Sequence, residues 1–264
     1  MYKIFYHSGA LMTLAVIIPT YNREEFIGRA IISVQRQKLD LPLKIIVVDD
    51  GSTDNTLEFL EKIANKDKRI TILYQENKGV SSARNRGINS LSPDTEYVTF
   101  LDSDDLMTSD RFSLPINYLK HNPTIDYVIG EVLLIRDFMI DELNPTALKN
   151  ILISRVSTHS VSSAIFRRDV FDKIGLFNEN LRKAEDLDFF LRLAEAGIAF
   201  KQLHHPCIYY SRHDKDHLTK DLKSVAKSTA KAIAMSVARR KNNPTTLLMP
   251  KFNIDSLRES KKSN

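Results

Sequence analysis

The stretch Tyr97-Val98-Thr99-Phe100-Leu101-Asp102-Ser103-Asp104-Asp105 decides how the rest of the chain is read. Its first five residues are β-prone and mostly apolar, as in a short strand buried on both faces, and carboxylates begin where that strand would end. In an open α/β sheet, ligands bind in the crevice beyond the carboxyl ends of the strands. Carboxylates packed this closely repel one another, and hard oxygen ligands on a short turn suit Mg2+ or Mn2+ shared with substrate phosphates and water. Taken alone, the segment reads more simply as a solvated turn with an aspartate capping the next helix. Its neighbours decide between the two.

Working outward, Leu14–Ile18, Leu43–Val48 and Ile70–Tyr74 are further short strands rich in branched aliphatic residues. Patterns of helical period lie between them at Glu24–Gln37, Asp54–Ala64 and Val80–Ser90. Alternation at this spacing predicts right-handed crossovers and a mostly parallel sheet flanked by helices. The first strand runs out into Pro19-Thr20-Tyr21-Asn22-Arg23-Glu24 and the second into Asp49-Asp50-Gly51-Ser52-Thr53-Asp54, both on the edge that carries Asp102. Asp50 suits a base N–H, and Tyr21 offers a stacking face. Asn77 to Gly87 opens the third helix, where backbone N–H groups and Arg84 suit an anion. A base-sized pocket, an anion site and metal-binding carboxylates, in that order, describe a nucleoside diphosphate lying across a sheet edge.

Further along, Arg111–His121 reads as a helix, Tyr127–Ile129, Val161–Phe166 and Cys207–Tyr209 as strands, and Asp186–Ala196 as a helix. Glu131–Ser160 is less regular and is expected to cover a cleft. The single cysteine, Cys207, leaves no internal disulfide or cysteine-based zinc site, so a reducing cytoplasm is the natural compartment. No apolar run reaches the roughly 20 residues that cross a bilayer. Met1–Leu11, interrupted by His7, does not read as a signal peptide. The net charge of +5 is unevenly placed: from Leu218 onward there are eleven basic and three acidic residues, leaving the preceding body net negative. That distribution argues against a nucleic-acid-binding core.

Five segments, Leu14–Glu24, Ile45–Thr56, Asn77–Ile88, Val98–Asp105 and Ala184–Gly197, resemble in order the motifs of the inverting family 2 glycosyltransferases of the GT-A fold. The resemblance runs from about Leu14 to about Thr219. It implies that Pro19, Thr20, Tyr21, Arg23, Asp49, Asp50, Arg84, Asp102, Ser103, Glu185 and Arg212 line the nucleotide-sugar site. Asp104, with His213 as a further candidate, would ligate Mn2+ or Mg2+, and Asp186 would be the catalytic base. A carboxylate at a helix start suits deprotonation of an attacking hydroxyl; read without the other motifs, Glu185 and Asp186 are helix-capping acids. The implied reaction moves a sugar from a UDP-sugar to a glycan or lipid-linked acceptor, in bacterial surface polysaccharide or lipopolysaccharide synthesis.

The expected organisation is an extension at 1–13, a GT-A domain at 14–219 and a basic amphipathic helical tail at 220–264. The tail suits an anionic membrane surface through residues 220–241, at the inner face of the cell membrane, or packing on the body or a second subunit as a homodimer. Two other readings fit less well. A HAD-type phosphatase carries its aspartate loop after the first strand, not the fourth, and a sugar nucleotidyltransferase needs a glycine-rich loop after Ile18. A sugar-nucleotide-binding module without turnover is the alternative from a different class.

Overall fold

The computed structural model describes residues 12–136, 152–212 and 222–242. Strands β1 (Thr13–Thr20), β2 (Leu43–Asp49), β3 (Ile70–Tyr74) and β4 (Thr95–Phe100) alternate with helices α1 (Ile27–Gln35), α2 (Thr56–Ala64) and α3 (Val80–Asn89). There follow β5 (Leu106–Met107), α4 (Ser113–His121), β6 (Tyr127–Arg136), β7 (Leu152–Ser157), a 3-10 turn at Val161–Ser163, β8 (Ala164–Arg167), α5 (Asp169–Ile174), α6 (Glu185–Glu195), β9 (Phe200–Arg212) and α7 (Leu222–Asn242). One sheet joins the strands in the order β3-β2-β1-β4-β8-β6-β9-β5, with β7 on β6.

The parallel half follows from the apolar runs. All eight residues of β1 are buried, because its two faces feed two cores. Leu14, Val16 and Ile18 pack with α1 and α4, whereas Ala15 and Ile17 pack with α3 and α6. The third helix comes close: a Cβ at Gly87 would meet Ile17 Cγ2 at 2.5 Å, so glycine lets α3 settle on β1. In-register parallel pairing sets Thr20 beside Asp49 and Ile17 beside Phe100. The loops after β1, β2 and β4 therefore open on one edge, as the sequence predicts.

The second half differs from expectation in two places, and its last helix takes one of the expected positions. Val161–Ser163 is a 3-10 turn, and only then does β8 begin, antiparallel to β4. The segment read as irregular holds a continuous strand, since β6 runs on to Arg136 and pairs with β7; residues 137–151 lie outside those described. Helix α7 packs on the body by one face: Ala232 and Ser236 are buried, and Arg239 donates to Glu195 and Asp188 of α6. Phe189, Phe190 and Leu193 of α6 belong to the second core, with Phe189 stacked on Phe177, while Asp188 and Glu195 on the same helix meet α7.

Candidate active site

The loops after β1 and β2 are stapled into one lip. The Asn22 N–H donates to Ser52 Oγ at 2.9 Å, and the Thr53 N–H donates to Asn22 Oδ1 at 2.7 Å. The Arg23 N–H reaches Thr56 Oγ1 at 2.9 Å. Asn22 and Gly51 take the left-handed backbone that such reversals need, with φ of 50° and 78°. A side chain at Gly51 would also strike the Asn77 nitrogen at 2.8 Å. Tyr21, 43% exposed on this lip, keeps an open ring face.

Below the lip, Asp49 and Asp50 serve different ends. Asp50 accepts from Gln75 Nε2 at 2.7 Å, the Lys78 N–H at 2.9 Å and the Gly79 N–H at 2.8 Å. Its carboxylate thus builds the entrance to α3, a role the sequence reading, which gave it a base N–H, did not foresee. Asp49 Oδ1 takes the Ser52 N–H and hydroxyl, while Asp49 Oδ2 and Thr20 Oγ1 are buried with no hydrogen-bond partner among the described residues. Orphaned polar atoms cost free energy unless a ligand or water meets them, and these two belong to paired residues at the cleft end of β1 and β2.

The centre of the site is a buried guanidinium. Arg84, 3% exposed on α3, donates from Nη1 to Glu185 at 3.0 Å and to Asp186 at 2.9 Å, and from Nη2 to Asp102 at 2.9 Å. Burial alone would lower its pKa, but the charges of Asp186, Asp102 and Glu185 outweigh that and hold it above the ordinary arginine value. Both terminal nitrogens of Arg84, the residue expected at a nucleotide anion, meet carboxylates. It joins the Asp102 turn to the start of α6.

Asp186 is deeply surrounded although 26% of its side chain remains open. Burial is the largest influence on it and raises its pKa; Arg84 opposes, Glu185 and Asp102 add to the rise, and the result is a carboxyl pushed up to about 6. Its second oxygen accepts the Val161 N–H at 3.1 Å, and Ser162 Oγ donates to Asp102 Oδ2 at 3.2 Å. Ala184, just before this pair, sits at φ 58°, a strained left-handed conformation for a non-glycine residue. The bend turns Glu185 and Asp186 toward Arg84.

The other carboxylates of the turn diverge. Asp105 is buried, and its N–H closes the turn onto the Asp102 carbonyl at 3.0 Å. Asp104 keeps 22% of its side chain open and lies 3.7 Å from Arg23 Nε. Among the described residues no cluster of three or more His, Cys, Asp or Glu is arranged to hold a metal. The donor set still fits Mg2+ or Mn2+, which bind through one or two carboxylates and take their remaining ligands from phosphate and water. Ser103 is buried in the turn and Pro19 lies within β1. Arg212 ends β9, its side chain outside the described part, and His213 lies outside the described residues. Sequence reasoning missed Gln75, Val161 and Ser162, which belong to no motif and enter the site only through the sheet's topology.

The mostly parallel sheet thus brings carboxylates from the turn after β4 and from the start of α6 onto one arginine at the edge where the loops after β1 and β2 open. The chain belongs to glycosyl transferase family 2, whose model matches residues 15–175, more than half of its length. It is 36% identical over 110 residues to an uncharacterized glycosyltransferase of Haemophilus influenzae, covering 41% of this chain and 43% of that protein. It thus spans under half the length of that curated relative. Among solved structures, Staphylococcus aureus TarS 1-349 in complex with UDP-GlcNAc superposes with a TM-score of 0.69 at 22% identity, over 90% of this chain and 68% of that one. The mannosyltransferase PcManGT of Pyrobaculum calidifontis, in complex with GDP-Man and Mn2+, gives a TM-score of 0.62 at 19% identity, over 89% and 65%. At such identities the likeness establishes the fold, GT-A.

Proposed function

We propose that this chain is a metal-dependent inverting glycosyltransferase that moves a sugar from a UDP-sugar to a hydroxyl of a glycan or lipid-linked acceptor. The observation that carries the reading is the Arg84 cluster, which ties the Asp102 turn and Asp186 to one guanidinium at the sheet edge. The orphaned Thr20 Oγ1 and Asp49 Oδ2 support a polar ligand beneath the exposed Tyr21 ring. The UDP-GlcNAc in the TarS structure and the Mn2+ in PcManGT support the donor class and the cation.

Asp186 takes the proton of the acceptor hydroxyl as that oxygen bonds to the anomeric carbon, from the face opposite the leaving group. The bond from that carbon to the β-phosphate oxygen breaks, the electron pair leaves with UDP, and the configuration inverts. A carboxyl poised near neutrality matches the base to the working pH. Asp104, with Asp102 beside it, would hold Mg2+ or Mn2+, which as a Lewis acid neutralises charge on the departing diphosphate. Arg84 keeps Asp186 ionised and oriented.

The wider setting belongs to the same proposal: bacterial surface polysaccharide or lipopolysaccharide synthesis, and a catalytic domain at 14–219. No helix among the described residues is long and apolar enough to cross a membrane. Helix α7 leaves Ile233 and Val237 exposed, with Lys223, Lys227 and Lys231 exposed along the same helix, which supports contact with an anionic membrane surface. The test of function is a panel of UDP-, GDP- and dTDP-sugars assayed with Mn2+ for transfer or hydrolysis. Turnover of a UDP-sugar is expected; no turnover of any donor in the panel overturns the reading.

A further inference from the structure

Arg111 is 1% exposed, and among the described residues no carboxylate pairs with it. A buried cation without a counter-ion is costly unless its donors are well used. Here the guanidinium is spent largely on one short segment. Nη2 donates to the Ser162 carbonyl at 2.8 Å, the Ala164 carbonyl at 3.1 Å and Thr99 Oγ1 at 3.0 Å, and Nη1 approaches the Ser163 carbonyl at 3.5 Å. Thr99 Oγ1 in turn donates to the Ala164 carbonyl at 2.6 Å. Three successive carbonyls are thus gathered around one planar fork, a task a lysine's single ammonium does not perform equally.

The other side of the same turn faces the cluster on Arg84. Its first residue, Val161, gives its N–H to Asp186, and its second, Ser162, gives its hydroxyl to Asp102. We propose that Arg111 is a positioning residue, which holds the Val161–Ser163 turn where its donors meet the base and the first carboxylate of the metal turn. The inference rests on the glycosyl-transfer reading for its catalytic meaning. The geometric part stands apart from turnover.

The test uses the full chain and two variants. Arg111→Lys removes the fork. Val161→Pro removes the N–H and also replaces a fully buried valine side chain, so Val161→Ala, which keeps the N–H, is its control; the position is the first helical one, which accepts proline, after a Ser160 already extended at φ −124° and ψ 140°. Amide hydrogen exchange in Arg111→Lys is expected to speed at least tenfold across residues 161–163, with the amides of β1 and β4 at wild-type rates. Equal acceleration throughout the sheet, or an unchanged turn, overturns the proposal. Should Arg111→Lys not fold, Thr99→Val loosens the same cluster without moving a charge, and the same local pattern is expected. For turnover the probe is the UDP-sugar that the wild type uses, and for affinity it is UDP with Mn2+. Val161→Pro should lower turnover at least tenfold with UDP affinity within threefold, and adding it to Arg111→Lys should lower turnover no further. Fully multiplicative effects would refute the shared route. A wild type that turns over no nucleotide sugar refutes the glycosyl-transfer reading instead, and the exchange pattern then decides the positioning role alone.

Discussion

Arg84 Nη1 meets Asp186 Oδ1 at 2.9 Å, joining residues 102 positions apart in the chain. The contact makes the protonation of Asp186 a property of the whole cluster, since the same guanidinium also holds Glu185 and Asp102. A base whose carboxyl is pushed up to about 6 acts only once that proton has left. Transfer is expected to rise with pH through about 6 and to level off above it. A profile flat from pH 5 to 8, at saturating donor and Mn2+, contradicts this.

The same shift has a cost in stability. The folded chain holds the Asp186 proton up to about pH 6, whereas the carboxyl's ordinary value is 3.8. The folded state therefore binds protons more strongly, and the stability contribution is greatest below 3.8 and falls as pH rises through about 6. Asp186→Asn, which mimics the protonated form, should stabilise the protein by up to about 3 kcal/mol at pH 7.5. Thermal unfolding of the two proteins at pH 5 and pH 7.5 checks the sign, because the difference should shrink at the lower pH.

Removing the arginine leaves three carboxylates without their buried partner. Arg84→Met is expected to destabilise the protein by about 3 to 5 kcal/mol. Adding Asp186→Asn should recover part of that loss, because one of the stranded charges is gone. Denaturant unfolding of the single and double variants measures the coupling, and additive effects would contradict it.

Substitution of Asp104 separates the proposed metal role from the proposed base. Asp104→Asn should abolish the Mn2+ dependence of UDP binding in calorimetry while leaving unfolding within about 0.5 kcal/mol of wild type, because the side chain is partly open and its contact to Arg23 is a long one. UDP binding that stays as metal-dependent as in wild type would remove Asp104 from the cation site.

The C-terminal helix is a brace as much as a surface. Arg239 Nη1 reaches Asp188 at 3.0 Å and its Nε reaches Glu195 at 2.6 Å, so α7 holds both ends of the helix that starts with Glu185 and Asp186. Arg239→Ala is expected to cost about 1 to 3 kcal/mol in denaturant unfolding, less than a lone buried pair because Asp188 keeps Arg192. Flotation with anionic vesicles tests the outward face: Lys223→Glu with Lys227→Glu should reduce binding, and unchanged flotation would remove the membrane from the account.

What the sequence makes legible follows the strength of local patterns. The parallel half was readable because β1, β2, β3 and β4 are apolar runs separated by helices of clear period, and their ends collect the motif residues. The antiparallel half was not. The two residues of β5 are too short to carry a period, and β6 and β9 extend far past their apolar centres through pairing with each other. Side-chain duties were less legible than positions. Arg84 and Asp50 belong to motifs that suggest ligand contact, and both also make hydrogen bonds within the protein that the motifs do not announce. Val161 and Ser162 carry no signal, since one contributes a backbone N–H and the other an ordinary hydroxyl.

The most direct test of the central claim compares transfer and donor affinity in wild type and Asp186→Asn, with the UDP-sugar found active and Mn2+ present. Loss of a general base is worth about 100- to 10,000-fold, so transfer should fall by that much while the UDP dissociation constant stays within threefold. Near-normal transfer by Asp186→Asn would contradict the account.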